Sequence, residues 1–111
     1  MGHPHAQPGE AVAVRSQETA PQALRSRLLL KTERAEIIRM ELPAGESIRE
    51  HQAPGELIVH CLEGRVSFTA MGKTIALKSG EMFYLAAAEP HAVSALEDCC
   101  FLLTILFDGG K

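Results

Sequence analysis

From Leu28 onward, apolar and polar residues fall into short runs separated by turn signals at roughly 8 to 12 residue intervals. That rhythm predicts an all-β sandwich or barrel. Predicted strands run from Leu28 to Lys31, Glu36 to Leu42, Glu56 to Leu62, Arg65 to Ala70, Lys73 to Lys78, Met82 to Ala86, His91 to Leu96 and Cys99 to Phe107. In Arg65 to Ala70 the apolar Val66, Phe68 and Ala70 alternate with Arg65, Ser67 and Thr69, as in a half-buried strand. Met71-Gly72 reads as the hairpin turn into the next strand. The last segment, CCFLLTILF, is almost continuously apolar, which suits a strand buried on both faces. One face would line the core. The other needs a cover, either the N-terminal segment or a second subunit, so a homodimer is expected.

Residues 1 to 23 break this pattern. They mix Pro, Gln, Gly, Glu and Ala without sustained periodicity, and read as a flexible or loosely docked arm. The domain proper is expected over 24 to 111. A chain of 111 residues has room for one such domain, with enough material for a single core.

Composition narrows the function classes. The formal net charge is −3 and no Lys/Arg cluster overrides it, so a nucleic-acid partner is not expected. No apolar run approaches the roughly 20 residues that span a bilayer, so no membrane partner is expected. The first residues lack a basic flank followed by an apolar stretch and do not read as a signal peptide. Three cysteines, two of them adjacent, make a poor disulfide framework; reduced thiols in a cytoplasmic protein are the expectation.

Two glycine-framed segments carry the remaining information. The first runs Gly45, five residues, His51, Gln52, Ala53, and on through Leu57 to Gly64. The second runs Gly80, five residues, Ala86, Ala87, Ala88, Glu89, Pro90, His91, and on to Ala95. Their spacing resembles the paired motifs of the cupin family. The resemblance implies an all-β, antiparallel double-sheet jelly-roll barrel with a partly ordered N-terminal arm. In metal-binding cupins it further implies three histidines and a glutamate converging on one ion. Here only two of those slots are filled as in the family, by His51 and His91. The second His slot holds Ala53, the Glu slot Leu57, the Pro slot Ala86, the Gly slot Ala88 and the Asn slot Ala95.

Strand parity gives the expected site. Positions 51, 53 and 57 share parity and should face inward, as should Cys61. The expected ligand pocket is lined by His51, Ala53, Leu57, Cys61, His91 and Ala95. The metal ligands would be His51 and His91, with Glu56 joining only if a bulge at Pro54-Gly55 turns it inward. The residues leave the cofactor open; the resemblance allows a divalent transition metal (Fe, Mn, Ni or Zn). Each histidine has three readings: a pocket residue held by hydrogen bonds, a metal ligand, or a group in direct acid–base or ligand contact. Cys61 reads as a small buried hydrophobe, and His60, of opposite parity, as a packing or interface residue. His3 and His5, one residue apart in the arm, have metal-chelating spacing.

The expected function is a binding module that accepts a small organic molecule in the barrel. The pocket would be wider and more apolar than a four-ligand site because of Ala53, Leu57 and Ala95. The alternatives are a metal-dependent enzyme of dioxygenase or isomerase type, and a dimeric scaffold without catalysis.

Overall fold

The computed structural model describes residues 5–16 and 19–107. Among these residues there are nine strands and no helix: β1 (Arg25–Lys31), β2 (Ala35–Leu42), β3 (Ser47–His51), β4 (Glu56–Glu63), β5 (Arg65–Ala70), β6 (Lys73–Lys78), β7 (Met82–Leu85), β8 (His91–Ala95) and β9 (Cys99–Leu106). All pair antiparallel. They form a five-stranded sheet in the order β1-β2-β9-β4-β7 and a four-stranded sheet in the order β3-β8-β5-β6. The two sheets make a jelly roll.

The alternation read from sequence explains the layers. Val66, Phe68 and Ala70 of β5 face inward, opposite Leu77 and Ile75 of β6 on one side and Ala95, Val93 and His91 of β8 on the other. From the five-stranded sheet, Leu57, Val59 and Cys61 of β4 meet the same interior as Phe101, Leu103 and Ile105 of β9. Phe68 sits at the centre, with Phe83 and Phe101 edge-on to it at centroid distances of 5.2 and 5.7 Å. Each such fully buried side chain contributes about 1.5–3 kcal/mol by leaving water.

Turn chemistry agrees with the sequence at the β5–β6 hairpin, where Met71 and Gly72 both take positive φ (55° and 74°). That pair of angles is the two-residue turn whose twist matches antiparallel strands. Gly64, between β4 and β5, is required twice over. Its φ is +75°, and a Cβ there would collide with the backbone carbonyl of Asp98.

Two elements depart from the sequence reading. β1 begins at Arg25 because Arg25 pairs with Glu41 of β2, both in register and through a 2.9 Å Nε–carboxylate contact. β3 has no counterpart among the predicted strands. Its residues S-I-R-E-H carry one aliphatic side chain, Ile48, so an exposed edge strand leaves no hydrophobic alternation to read. In consequence positions 51 and 57 lie on two strands in two sheets, joined by residues 52–55, and not on one strand as the parity argument assumed. Leu57 faces the interior, and His51 stands exposed at the rim.

The N-terminal segment touches the outer face of the five-stranded sheet. The Ala6 N–H donates to the Leu29 carbonyl, and residues Val12 to Ser16 lie over Arg27, Leu29 and Arg39. Leu29, beside a register shift in β1, is 1% exposed under this cover.

Candidate functional site

His51 closes β3 and His91 opens β8, and the antiparallel register makes them cross-strand partners. Their rings lie 4.4 Å apart, tilted by 58°. His51 is exposed at the rim, whereas His91 is 3% exposed beneath it. Ala70 of β5 is the partner of His91 on its other side, and the Phe68 ring centroid lies 6.3 Å away. One end of the barrel therefore carries an imidazole pair set on an aromatic and aliphatic floor.

Both rings are fixed in the same way. Nδ1 of His51 lies 2.9 Å from the Arg49 carbonyl, and Nδ1 of His91 lies 3.0 Å from the Glu89 carbonyl. A carbonyl oxygen only accepts, so each Nδ1 carries the hydrogen and donates it. In a neutral ring this leaves each Nε2 as a lone-pair acceptor. Among the described residues no sealed side-chain nitrogen or oxygen lacks a partner. Among the described residues Nε2 of His91 has no hydrogen-bond partner, so the small exposure of that residue includes it.

A second feature braces the pair. Gln52 Nε2 donates to the Ala88 carbonyl at 2.9 Å, tying the loop after β3 to the loop before β8. Ala88 holds φ at +64°, a left-handed conformation that an alanine adopts at a cost of about 1–2 kcal/mol. This is the slot where the cupin pattern has glycine. The turn takes a left-handed φ at an alanine, and the chain beyond it brings His91 opposite His51. Gln52 was missed altogether, since a loop glutamine carries no pattern signal.

The structure separates the other expected pocket residues. Leu57 lies at the same end of the barrel as the histidines but is 2% exposed and packed in the core. Cys61 and Ala95 are four residues further along β4 and β8, about 13 Å away on each strand, at the opposite end. They are 0% and 3% exposed and fill core volume. Ala53 is half-buried in the 52–55 loop. Of the six positions, His51, His91 and Ala53 stand at the mouth, and Leu57, Cys61 and Ala95 pack in the core beneath and beyond it.

Glu56 corrects the conditional ligand assignment. It is exposed on the outer face, beside Ile58, Met82, Tyr84 and Leu106, because β4 begins at Glu56 in plain alternation and its register shift lies between Cys61 and Glu63. With Leu57 in the core and Ala53 without a donor atom, two imidazoles remain. Among the described residues no three His, Cys, Asp or Glu side chains group so as to hold a metal ion. The donor set present does not fit the metal that the family's four-ligand motif implies. His60 stands on the outer face between Met82 and Leu102. His5 is tied to the Ala6 carbonyl at 3.1 Å, and His3 lies outside the described residues.

The three cysteines are buried free thiols. Burial pushes the Cys99 thiol up to about 12, aided by nearby Cys61, and Cys100 up to about 11, aided by Glu41. Burial likewise raises Cys61, whose Sγ faces the Glu63 and Gly64 carbonyls. Thiols held this far toward the neutral form are poor nucleophiles.

The architecture matches many solved structures. A cupin superfamily protein from Desulfitobacterium hafniense aligns over 96% of this chain and 97% of its own, with a TM-score of 0.80 at 21% identity. An RmlC-like cupin from Desulfovibrio desulfuricans aligns over 88% of this chain and 91% of its own, with a TM-score of 0.69 at 28% identity. A cupin 2 conserved barrel domain protein from Leptotrichia buccalis is 30% identical over 84% of this chain but only 44% of its own, with a TM-score of 0.74. No curated protein sequence matches significantly. Residues 38–105, more than half of the chain, match the cupin domain family model, and the protein belongs to the cupin family.

Proposed function

We propose that this cupin is a binding module for a small, uncharged organic molecule held at the mouth of the barrel by His51 and His91. The observation that supports it is the paired Nδ1–carbonyl bonding, which turns both rings so that Nε2 is the free acceptor. Two acceptors side by side favour a ligand that brings two hydrogen-bond donors, such as a diol or a primary amide. They disfavour a carboxylate, whose lone pairs would face theirs. Below the pair the buried Phe68 ring and Ala70 back His91 from the core, so the ligand would sit on the exposed side of the imidazoles. Three buried reduced thiols suit a reducing compartment such as the cytoplasm.

The test is a titration followed by imidazole nitrogen NMR, using simple polyols, amides and matched carboxylates as probes. Polyols or amides should shift the Nε2 resonances of both histidines, and a His51→Ala/His91→Ala variant should lose that binding. Binding of carboxylates in preference to their amides, or unchanged binding in the double variant, would falsify the reading.

A further inference from the structure

Beneath the N-terminal segment, β1 and β2 set two arginines directly opposite each other: Arg27 and Arg39 are cross-strand partners. Further along the same two strands Arg25 stands opposite Glu41, and there the charges cancel. At Arg27 and Arg39 they do not. Among the described residues no carboxylate pairs with either guanidinium. Arg39 Nη1 donates only to the Ala13 carbonyl, at 3.4 Å. Like charges held opposite on neighbouring strands repel and destabilise the pair.

The arm brings a third cation to the same place. Arg15 lines, with Arg27 and Arg39, a groove of about 320 Å³ between the arm and the sheet. Arg15 has a carboxylate partner, Glu63, at 3.7 Å, but both side chains are more than half exposed, and such a surface pair is readily exchanged. No acidic residue lines the groove. On a chain of net charge −3, three guanidiniums around one groove reverse the sign locally.

We propose that this groove is a second binding site, one that takes a small phosphomonoester. Two uncompensated guanidiniums call for a dianion, and a phosphomonoester is close to one at neutral pH. Residues opposite each other on paired strands have Cβ atoms about 4.5–5.5 Å apart, so a compact dianion meets both side chains at once. A dicarboxylate would spread the same charge over two centres. Each guanidinium fork offers parallel N–H donors that match phosphate oxygens. Val12 and Ala13 of the arm supply apolar wall for the carbon part of the ester. An anion seated there joins Arg15 of the arm to Arg27 and Arg39 of the sheet, so its binding also fastens the arm. A groove walled by the chain's own arm suits a soluble ester better than a flat membrane surface.

Calorimetric titration of the full chain with glycerol phosphate, near neutral pH and at low salt, tests this. The wild type should bind one equivalent, more weakly as sodium chloride is raised. Arg27→Gln and Arg39→Gln should each weaken binding about tenfold or more, and Arg27→Lys should recover only part of the loss. Arg27 is exposed and unpaired, so Arg27→Gln should keep the fold. In chloride alone that variant should melt no lower than the wild type, because one of two facing like charges is gone. Glycerol phosphate should raise the melting temperature of the wild type by a few degrees and leave that of Arg27→Gln nearly unchanged. Absence of saturable binding overturns the site, as does an Arg27→Gln/Arg39→Gln variant that binds as tightly as the wild type. Succinate bound as tightly as glycerol phosphate overturns the choice of phosphate. Cosedimentation with phosphatidic acid vesicles, without binding of glycerol phosphate, overturns the soluble ligand in favour of a lipid headgroup.

Discussion

Ala88 shows how much one residue's backbone can decide. Its left-handed φ bends the chain so that the Glu89 carbonyl lies under His91 and its own carbonyl meets Gln52. A side chain in that region costs about 1–2 kcal/mol, against the extra entropy that glycine loses on folding, about 0.5–1 kcal/mol. Ala88→Gly should therefore stabilise the protein by roughly 0.5–1 kcal/mol and raise its melting temperature by a few degrees, leaving the Gln52 bond to a backbone oxygen intact. An unchanged or lowered melting temperature would show that the loop is not under strain. The alanines at 53, 86, 88 and 95 were legible as departures from the family spacing. What they do was not, because the same residue type stands at a rim, in a strained turn and inside the core.

At the scale of elements, the sheets follow from alternation wherever a strand has one wet and one dry face. β5 and β6 match their predicted limits for that reason, and β3 escapes because its apolar content is a single isoleucine. The β1–β2 pair adds a polar lock that no periodicity reveals. The Glu41 side chain is only 9% exposed, and Arg25 Nε, at 2.9 Å, is its cationic partner. Arg25→Ala would strand that carboxylate and remove the guanidinium contact to the Thr19 carbonyl. The expected loss is about 1–3 kcal/mol, read as a lower urea midpoint. If the midpoint holds, water replaces the guanidinium and the arm's docking contributes nothing through this residue.

At the scale of the molecule, the barrel packs around Phe68, and its mouth presents two imidazoles without a third donor among the described residues. Purified, tag-free protein should contain well under one transition-metal ion per chain. Dialysis against a chelator should leave the melting temperature within about 1 °C, since a ligand stabilises only the state that binds it. A fall of several degrees would mean that unexpected groups complete a metal shell. By itself the sequence determined the all-β class, most strand limits and the β5–β6 turn, because these rest on local alternation and glycine spacing. Only the tertiary structure decided that the two imidazoles touch, that Leu57, Cys61 and Ala95 serve the core, and that Glu56 faces outward. Those outcomes depend on which strands become neighbours and which end of each strand lies at the mouth. The period of two along one strand carries no information about either.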